Sequence, residues 1–219
     1  MFRSGSIQSH LTLRDKIFSL DLTLTICIFL IGIISFFAMY STDGGQFAYH
    51  TKSHIIRFII FFALFFVISF IKTSFWYSSA TLFYLGVLFL LILVKYVGLT
   101  SSGSQRWLDL YFLNLQPSEL MKIGLILFLA KYYHKISSGD VNKFRYLAQP
   151  LLALLFPVIL VVTQPDLGTS FLIAVGGVIV VWLAGVKMKF FVYLGGLFLL
   201  SAPVAISFLK PYQKSRILT

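Results

Sequence analysis

The sequence predicts an all-α, polytopic helical membrane bundle with about seven transmembrane helices. The chain is 58% hydrophobic over 219 residues, and its mean hydropathy is +0.91. Only 11% of its residues are charged. The apolar residues form long unbroken runs, whereas a membrane β-barrel shows alternating segments of about ten residues. These observations exclude an ordinary soluble domain and favour membrane-spanning helices.

The apolar runs place the spans in order along the chain. They cover about residues 18–40, 54–71, 78–97, 117–133, 147–163, 165–185 and 190–209. The first run is long enough to span the membrane, so it is expected to act as a signal anchor. We expect one integral-membrane domain over residues 1–219.

The charge distribution predicts orientation and surroundings. The formal net charge is +11, but the basic residues are scattered over short loops without a basic tract. This pattern favours attraction to membrane lipids with anionic headgroups and gives no reason to expect nucleic acid. The Lys and Arg bias between loops places the N-terminus in the cytoplasm.

The segment between the third and fourth spans is the most informative. It begins as a Gly- and Ser-rich loop, interpreted as flexible, and continues as an amphipathic stretch with Arg106 and Trp107. Pro117 suits the first position of a helix. Glu119 then falls in the first turn, and Lys122 lies three residues later on the same face.

A glutamate and a lysine therefore enter the membrane together. Either charge alone costs roughly 2.5–3.5 kcal/mol on insertion scales. One interpretation is a mutually neutralising pair that helps the bundle to fold. The other is a polar site at the mouth of a cavity, because ionisable groups within spans are functional candidates.

Counting spans predicts which polar residues share a side of the membrane. With seven spans, the fourth and sixth both start on the outer side, and the seventh ends there. Glu119, Lys122 and Asp166 should then face one side, together with Arg57 and Arg106. Asp166 either caps the sixth helix at a tight turn or belongs to this outer site.

Several kinds of chemistry have no support in the sequence. There is no phosphate-binding Gly-x-x-x-x-Gly-Lys loop, no His-Glu-x-x-His motif and no pair of cysteines. No metal site can be argued and no cofactor is predicted, although a divalent cation is left open.

Three segments resemble signature segments of the SEDS family. They read Gly-Ser-Gln-Arg-Trp-Leu-Asp at 103–109, Gln-Pro-Ser-Glu-Leu-Met-Lys at 116–122 and Gln-Pro-Asp-Leu-Gly-Thr-Ser at 164–170. Tyr212-Gln213, with Arg216-Ile217, resembles the start of the family's large outer loop. Within the family, the match is closer to RodA than to FtsW or SpoVE. The family has about ten spans, of which this chain offers about seven.

The resemblance implies a peptidoglycan glycosyltransferase that polymerises lipid II during rod-shape elongation. The implied partners are a class B penicillin-binding protein, which is a transpeptidase, and other elongation machinery proteins. The implied location is the bacterial inner membrane, with a periplasmic active face. Alternatives are a lipid II flippase and a non-catalytic membrane scaffold for the elongation machinery.

The resemblance also implies roles for particular residues. The candidates for substrate binding are Arg57, Arg106, Lys122, Gln213 and Arg216. Those expected to shape the cavity are Trp107, Glu119 and Asp166. The family's presumed catalytic aspartate lies beyond the position of Thr219, so we expect no catalytic residue in this chain and no activity from it alone.

Overall fold

The computed structural model describes residues 20–101, 104–109, 114–137 and 139–207. Seven helices account for most of these residues, which confirms the predicted fold class. They are α1 (Leu22–Thr42), α2 (Tyr49–Ser69), α3 (Thr73–Val97), α4 (Pro117–His134), α5 (Phe144–Thr163), α6 (Leu167–Leu183) and α7 (Met188–Ser207).

Each helix overlaps one predicted span, and the largest differences are at helix starts. α2 begins at Tyr49 and α3 at Thr73, each several residues before the expected position. Polar residues continue these helices beyond their apolar runs, so hydropathy alone underestimates their lengths. Within the described ranges, α1, α2, α3 and α5 are long and apolar enough to cross a membrane.

The chain divides into two compact units, Met1–Phe75 and Trp76–Thr219. The expectation of one integral-membrane domain stays a prediction. In the first unit, α1 packs against α2, and the turn between them contains Gly44 and Gly45 at φ +69° and +76°. Such left-handed conformations favour glycine.

Asp43 fastens this turn to α2. Its carboxylate accepts hydrogen bonds from the backbone N–H and the hydroxyl of Thr51, both at 2.7 Å, and lies 2.8 Å from His50 Nδ1. The backbone hydrogen bond from Thr51 is the main cause that lowers the pKa of Asp43 to about 2. The sequence indicated only a turn here, because hydrogen bonds between the two helices are not visible in the local pattern.

The core of the second unit is built around α4. Met121, Leu125 and Leu129 recur at helical spacing along one face and are fully buried. α4 and α5 both pack against α6. At Gly177 of α6, an added Cβ would lie 2.5 Å from Leu154 Cδ1 and 3.1 Å from Leu125 Cδ2. Glycine therefore permits the close approach of these helices.

Pro157 interrupts the backbone hydrogen bonding of α5. Proline has no N–H, so the carbonyl four residues earlier, that of Ala153, loses its usual helical partner. The hydroxyl of Tyr84 in α3 donates to this carbonyl at 2.8 Å. The Tyr84 ring also stacks on Phe128 of α4, with 4.7 Å between centroids. A neighbouring helix thus satisfies the freed carbonyl, as membrane helices require.

Pro150 produces the same situation nearer the start of α5. The carbonyl four residues earlier belongs to Tyr146, and the hydroxyl of Tyr132 in α4 donates to it at 3.3 Å. Both prolines of α5 are thus matched by a tyrosine on an adjacent helix.

A small antiparallel sheet lies between α3 and α4. It contains β1 (Leu99–Ser101), β2 (Ser104–Asp109) and β3 (Asn114–Leu115), in the order β1-β2-β3. Trp107 pairs with Leu99, and Leu108 pairs with Leu115. The interpretation of the first part of this stretch as a loop was therefore wrong, since residues 99–101 and 104–109 form strands. Pairing between strands depends on partners along the chain that the composition of the segment does not reveal.

Candidate functional site

The starts of α4 and α6 lie together in the second unit. Gln116, which precedes α4, donates from Nε2 to Asp166 Oδ2 at 3.0 Å. Asp166 immediately precedes α6. This contact confirms the prediction that the two helices start at the same end of the bundle.

Asp166 also joins the sheet to this end of the bundle. Arg106 of β2 places Nη1 3.6 Å from the same Oδ2 atom that receives Gln116. The other carboxylate oxygen, Oδ1, accepts the backbone N–H of Thr169 at 3.2 Å. Asp166 is therefore the N-cap of α6, and it also holds two residues that are distant in sequence.

Burial distinguishes Asp166 from an ordinary cap. Its side chain is 8% exposed. A carboxylate removed from water needs compensating donors or an opposite charge. The backbone N–H, the amide and the guanidinium provide both, so the position of the side chain is fixed from three directions.

Gln164 anchors the short connection between α5 and α6. Its side chain is buried and donates from Nε2 to the carbonyl oxygen of Leu91 in α3 at 2.8 Å. The residues on either side of Pro165 are thus each tied to another element, Gln164 to α3 and Asp166 to β2 and the start of α4.

The predicted ion pair between Glu119 and Lys122 is present. Lys122 Nζ donates to Glu119 Oε2 at 2.7 Å, across one turn of α4. The side chains are 53% and 27% exposed for Glu119 and Lys122, respectively. Glu119 also lies in the first turn, where its charge complements the helix dipole. Unlike Asp166, this pair is local and partly exposed.

The site therefore combines two acids and two bases from β2, α4 and α6. The Glu119–Lys122 pair is one turn from Gln116, whose side chain reaches Asp166 and whose carbonyl accepts the Glu119 N–H at 3.1 Å. Arg106 and Lys122 are both 27% exposed. Each cation is held by an acid and keeps an accessible surface, which suits a phosphate-bearing ligand.

The remaining predicted residues fall in different places. Trp107 is half-buried in β2, beside Arg106. Arg57 is exposed in α2 and belongs to the first unit. Gln213 and Arg216 lie outside the described residues.

Sequence reasoning missed the two glutamines at this end of the bundle. Gln116 and Gln164 each precede a proline in the segments that carry the resemblance, but only the prolines and acids were interpreted. The repeated Gln-Pro pair was the available signal. As for metals, no group of three or more His, Cys, Asp or Glu side chains in the described ranges could hold an ion.

The fold and this site define a multi-pass helical membrane protein with a charged, partly buried cluster at one end of its bundle. The profile of the FtsW, RodA and SpoVE family, described as "Cell cycle protein", matches residues 16–219. The chain belongs to this family, which confirms the resemblance to the SEDS proteins.

Individual relatives agree with this assignment. The probable peptidoglycan glycosyltransferase FtsW of Buchnera aphidicola subsp. Baizongia pistaciae is 29% identical over 203 residues, covering 89% of this chain and 52% of the relative. The chain spans about half the length of the curated relatives it matches.

Solved structures share the fold. A chain from a study of the structural coordination of polymerization and crosslinking by a peptidoglycan synthase complex has a TM-score of 0.79 and 29% identity. The match covers 91% of this chain and 58% of that one. The crystal structure of Rod shape determining protein RodA from Thermus thermophilus has a TM-score of 0.69 and 28% identity, covering 83% and 60%.

Proposed function

We propose that this protein is a peptidoglycan glycosyltransferase that polymerises lipid II at the outer face of the bacterial inner membrane. The observation that carries the proposal is the family match over residues 16–219, which includes all four charged residues of the cluster. A relative in that family is named a probable peptidoglycan glycosyltransferase.

The proposed reaction joins two lipid-linked sugars. The 4-hydroxyl of one unit attacks the anomeric carbon of the growing strand, and a base accepts the hydroxyl proton. The bond to the lipid pyrophosphate breaks, and positive charge stabilises the departing group. Basic side chains near the membrane surface suit this last requirement.

Arg106 and Lys122 are the described residues of the second unit that we assign to the pyrophosphate. Both side chains are 27% exposed, and an ammonium or a guanidinium group can donate hydrogen bonds to phosphate oxygens. Asp166 and Glu119 hold these cations in position, and Trp107 shapes the adjacent surface. We also propose Arg57 of the first unit, Gln213 and Arg216 as substrate-binding residues.

An exchange of charges separates a structural role of the Glu119–Lys122 pair from substrate binding. The single variant Lys122→Glu and the double variant Glu119→Lys with Lys122→Glu would be purified with a class B penicillin-binding protein and incubated with lipid II. If the pair only supports folding, the double variant recovers glycan synthesis. If Lys122 binds substrate from its own position, the double variant folds and stays inactive.

The assay also tests the proposed activity itself. The full protein with its partner should yield glycan strands that resolve by length on a gel. Transfer of lipid II across sealed vesicles without strand formation, from a folded complex, would favour a flippase and contradict the proposal. If a folded complex shows neither polymerisation nor transfer, the result would favour a non-catalytic scaffold.

We further assign the protein to cell elongation, together with other elongation machinery proteins. The RodA structure supports this role, whereas the FtsW relative has nearly the same identity. Complementation distinguishes them. The gene should restore rod shape to cells depleted of their elongation polymerase and fail to restore division to cells depleted of the division polymerase. The opposite result would overturn the assignment.

The partner and orientation complete the proposal. The similarity to a chain from a peptidoglycan synthase complex supports a class B penicillin-binding protein as partner. We place the N-terminus in the cytoplasm. In a Cys27→Ser background, Asn114→Cys should react with a membrane-impermeant thiol reagent added outside, and Lys135→Cys should react only after the membrane is opened. The reverse pattern would contradict this orientation.

A further inference from the structure

A second site lies at the other end of the second unit. A small, open cleft lies between α4, α5, α6 and α7; it admits about one water molecule, and its lining is almost entirely apolar. Tyr133, Leu147, Val181 and Phe190 represent the four helices in this lining. We call it the Tyr133 cleft.

Tyr133 places a polar hydroxyl group in this otherwise apolar cleft. The residue is 9% exposed, and its hydroxyl is buried without a hydrogen-bond partner in the described part of the chain. Its neighbour Tyr132 donates to the carbonyl of Tyr146, so the two tyrosines are not equivalent. A buried hydroxyl without a partner is destabilising, and a ligand with an acceptor oxygen would satisfy it.

The predicted spans end or begin at Tyr133, Leu147 and Phe190, so we expect the cleft at the boundary between headgroups and acyl chains. Tyr133 is next to the last residue of α4, and Leu147 and Phe190 lie in or near the first turns of α5 and α7. This boundary is where a glycerophospholipid carries its ester carbonyls. Since the whole cleft admits only about one water molecule, an acyl chain would lie outside it, along the surface of the helices at its mouth.

Exposed cations surround this end of the bundle. Lys135 and Lys187 lie in the loops and Arg145 and Lys189 in the first turns of α5 and α7, and all four are exposed. The backbone N–H of Lys187 donates to Asn142 Oδ1 at 2.8 Å, which brings the loop before α7 to the loop before α5.

These loops contain very little negative charge. The only acid in residues 131–147 and 184–190 is Asp140, and Lys143 lies 2.6 Å from it. The hydrogen bond from Lys143 lowers the pKa of Asp140, so this acid is ionised and occupied. The other cations therefore give the loops a net positive charge that attracts a phosphate group.

We propose that the Tyr133 cleft binds an anionic glycerophospholipid. The acyl chain lies along the helices at the mouth of the cleft, an ester carbonyl accepts a hydrogen bond from the Tyr133 hydroxyl, and the phosphate lies among the exposed cations. The proposal is independent of the glycosyltransferase function, because the cleft lies at the opposite end of α4 from Glu119 and Lys122.

The test compares lipids on the delipidated full protein. Phosphatidylglycerol and phosphatidylcholine with identical acyl chains would be added, and bound lipid would be measured by native mass spectrometry and thermal stability. Phosphatidylglycerol should bind more tightly. Tyr133→Phe should weaken binding of both lipids about fivefold, since it removes one hydrogen bond. Tyr193→Phe is the control, because Tyr193 is 77% exposed on α7.

The cations are tested separately, so the result does not depend on folding of the Tyr133 variant. Lys187→Gln and Lys189→Gln should each reduce phosphatidylglycerol binding about fivefold and leave phosphatidylcholine unchanged. Lys52→Gln, an exposed lysine of the first unit, should alter neither. Equal affinity for the two lipids in all variants would overturn the proposal. The proposal would also be overturned if the protein bound neither lipid and Tyr133→Phe were more stable than the native protein. That result would mean that the hydroxyl is simply buried without a ligand.

Discussion

The starts of α4 and α6 have similar sequences and different structures. One reads Gln116-Pro117-Ser118-Glu119 and the other Gln164-Pro165-Asp166, so each offers a glutamine, a proline and an acid. In α4 the proline is the first helical residue and the acid lies within the first turn. In α6 the acid is the N-cap and the helix begins after it.

The two acids differ most in what surrounds them. Glu119 is 53% exposed and pairs with a lysine of its own helix, whereas Asp166 is 8% exposed and is held by its helix, by Gln116 and by Arg106. A local ion pair is visible in the sequence spacing. That Asp166 also links α6 to β2 and to the start of α4 depends on the tertiary structure, which brings Arg106 and Gln116 to it.

Replacement of Asp166 should have the largest effect on stability. Asp166→Ala removes the cap and leaves Gln116 and Arg106 without their shared acceptor, at a cost of about 2–4 kcal/mol in the free energy of unfolding. Denaturant titration in detergent measures this cost.

Asp21→Ala is the matched control for this prediction. Asp21 also caps a helix, accepting the Leu24 N–H at 3.0 Å, but it is exposed. Its loss should cost about 1 kcal/mol. Equal losses for the two variants would show that Asp166 is only a cap.

Replacing the buried Gln164 should destabilise the protein more than replacing the half-buried Gln116. Gln164→Leu removes a buried hydrogen bond to the Leu91 carbonyl and should cost about 1–2 kcal/mol. Gln116→Leu, at the half-buried position before α4, leaves Asp166 with Arg106 and the Thr169 N–H and should cost less, about 1 kcal/mol. Thermal unfolding of both variants tests the order, and a larger loss at Gln116 would reverse our comparison.

The long-range hydrogen bond to α5 should depend on its proline. Tyr84→Phe should destabilise the protein by about 1 kcal/mol, because the Ala153 carbonyl loses its donor. In a Pro157→Ala background, the new backbone N–H can satisfy that carbonyl, so the same substitution should cost much less. A double-mutant cycle measures the coupling. Identical costs in both backgrounds would contradict our account of the carbonyl.

The exposed pair in α4 should contribute little to stability. Glu119→Ala and Lys122→Ala should each change the free energy of unfolding by less than about 1 kcal/mol, as is usual for exposed ion pairs. A loss above about 2 kcal/mol in detergent titration would mean that the pair is as structural as Asp166. A small loss accompanied by abolished glycan synthesis would place Lys122 at the substrate.

Asp43 should stabilise the protein at neutral pH, and this effect should depend on pH only in the acidic range. Its pKa is lowered from 3.8 to about 2, so its stabilising effect is complete above pH 4 and is lost as the pH falls towards 2. The difference in melting temperature between the native protein and Asp43→Asn should stay constant from pH 5 to 8 and shrink below pH 4. A difference that grows on acidification would contradict the sign of this shift.

Much of the fold could be predicted from the sequence because hydropathy is a property of each segment. The long apolar runs determined the seven helices and the fold class, and the i,i+3 spacing predicted the Glu119–Lys122 pair. The small sheet around Trp107 could not be predicted in this way, since a strand needs a partner. The starts of α2 and α3 were predicted too late in the chain, because both helices begin with polar residues that precede the apolar runs.

The sequence by itself determined that the chain forms membrane helices, that α4 and α6 start at the same end, and which charges lie there. The tertiary structure decided that Asp166 receives Arg106 and Gln116, and that two tyrosines satisfy the carbonyls freed by Pro150 and Pro157. It also buried the hydroxyl of Tyr133 without a partner among the described residues. The physical reason is that hydrophobicity and helical periodicity act over neighbouring residues. The partners of a buried polar group come from wherever the fold brings a donor or acceptor.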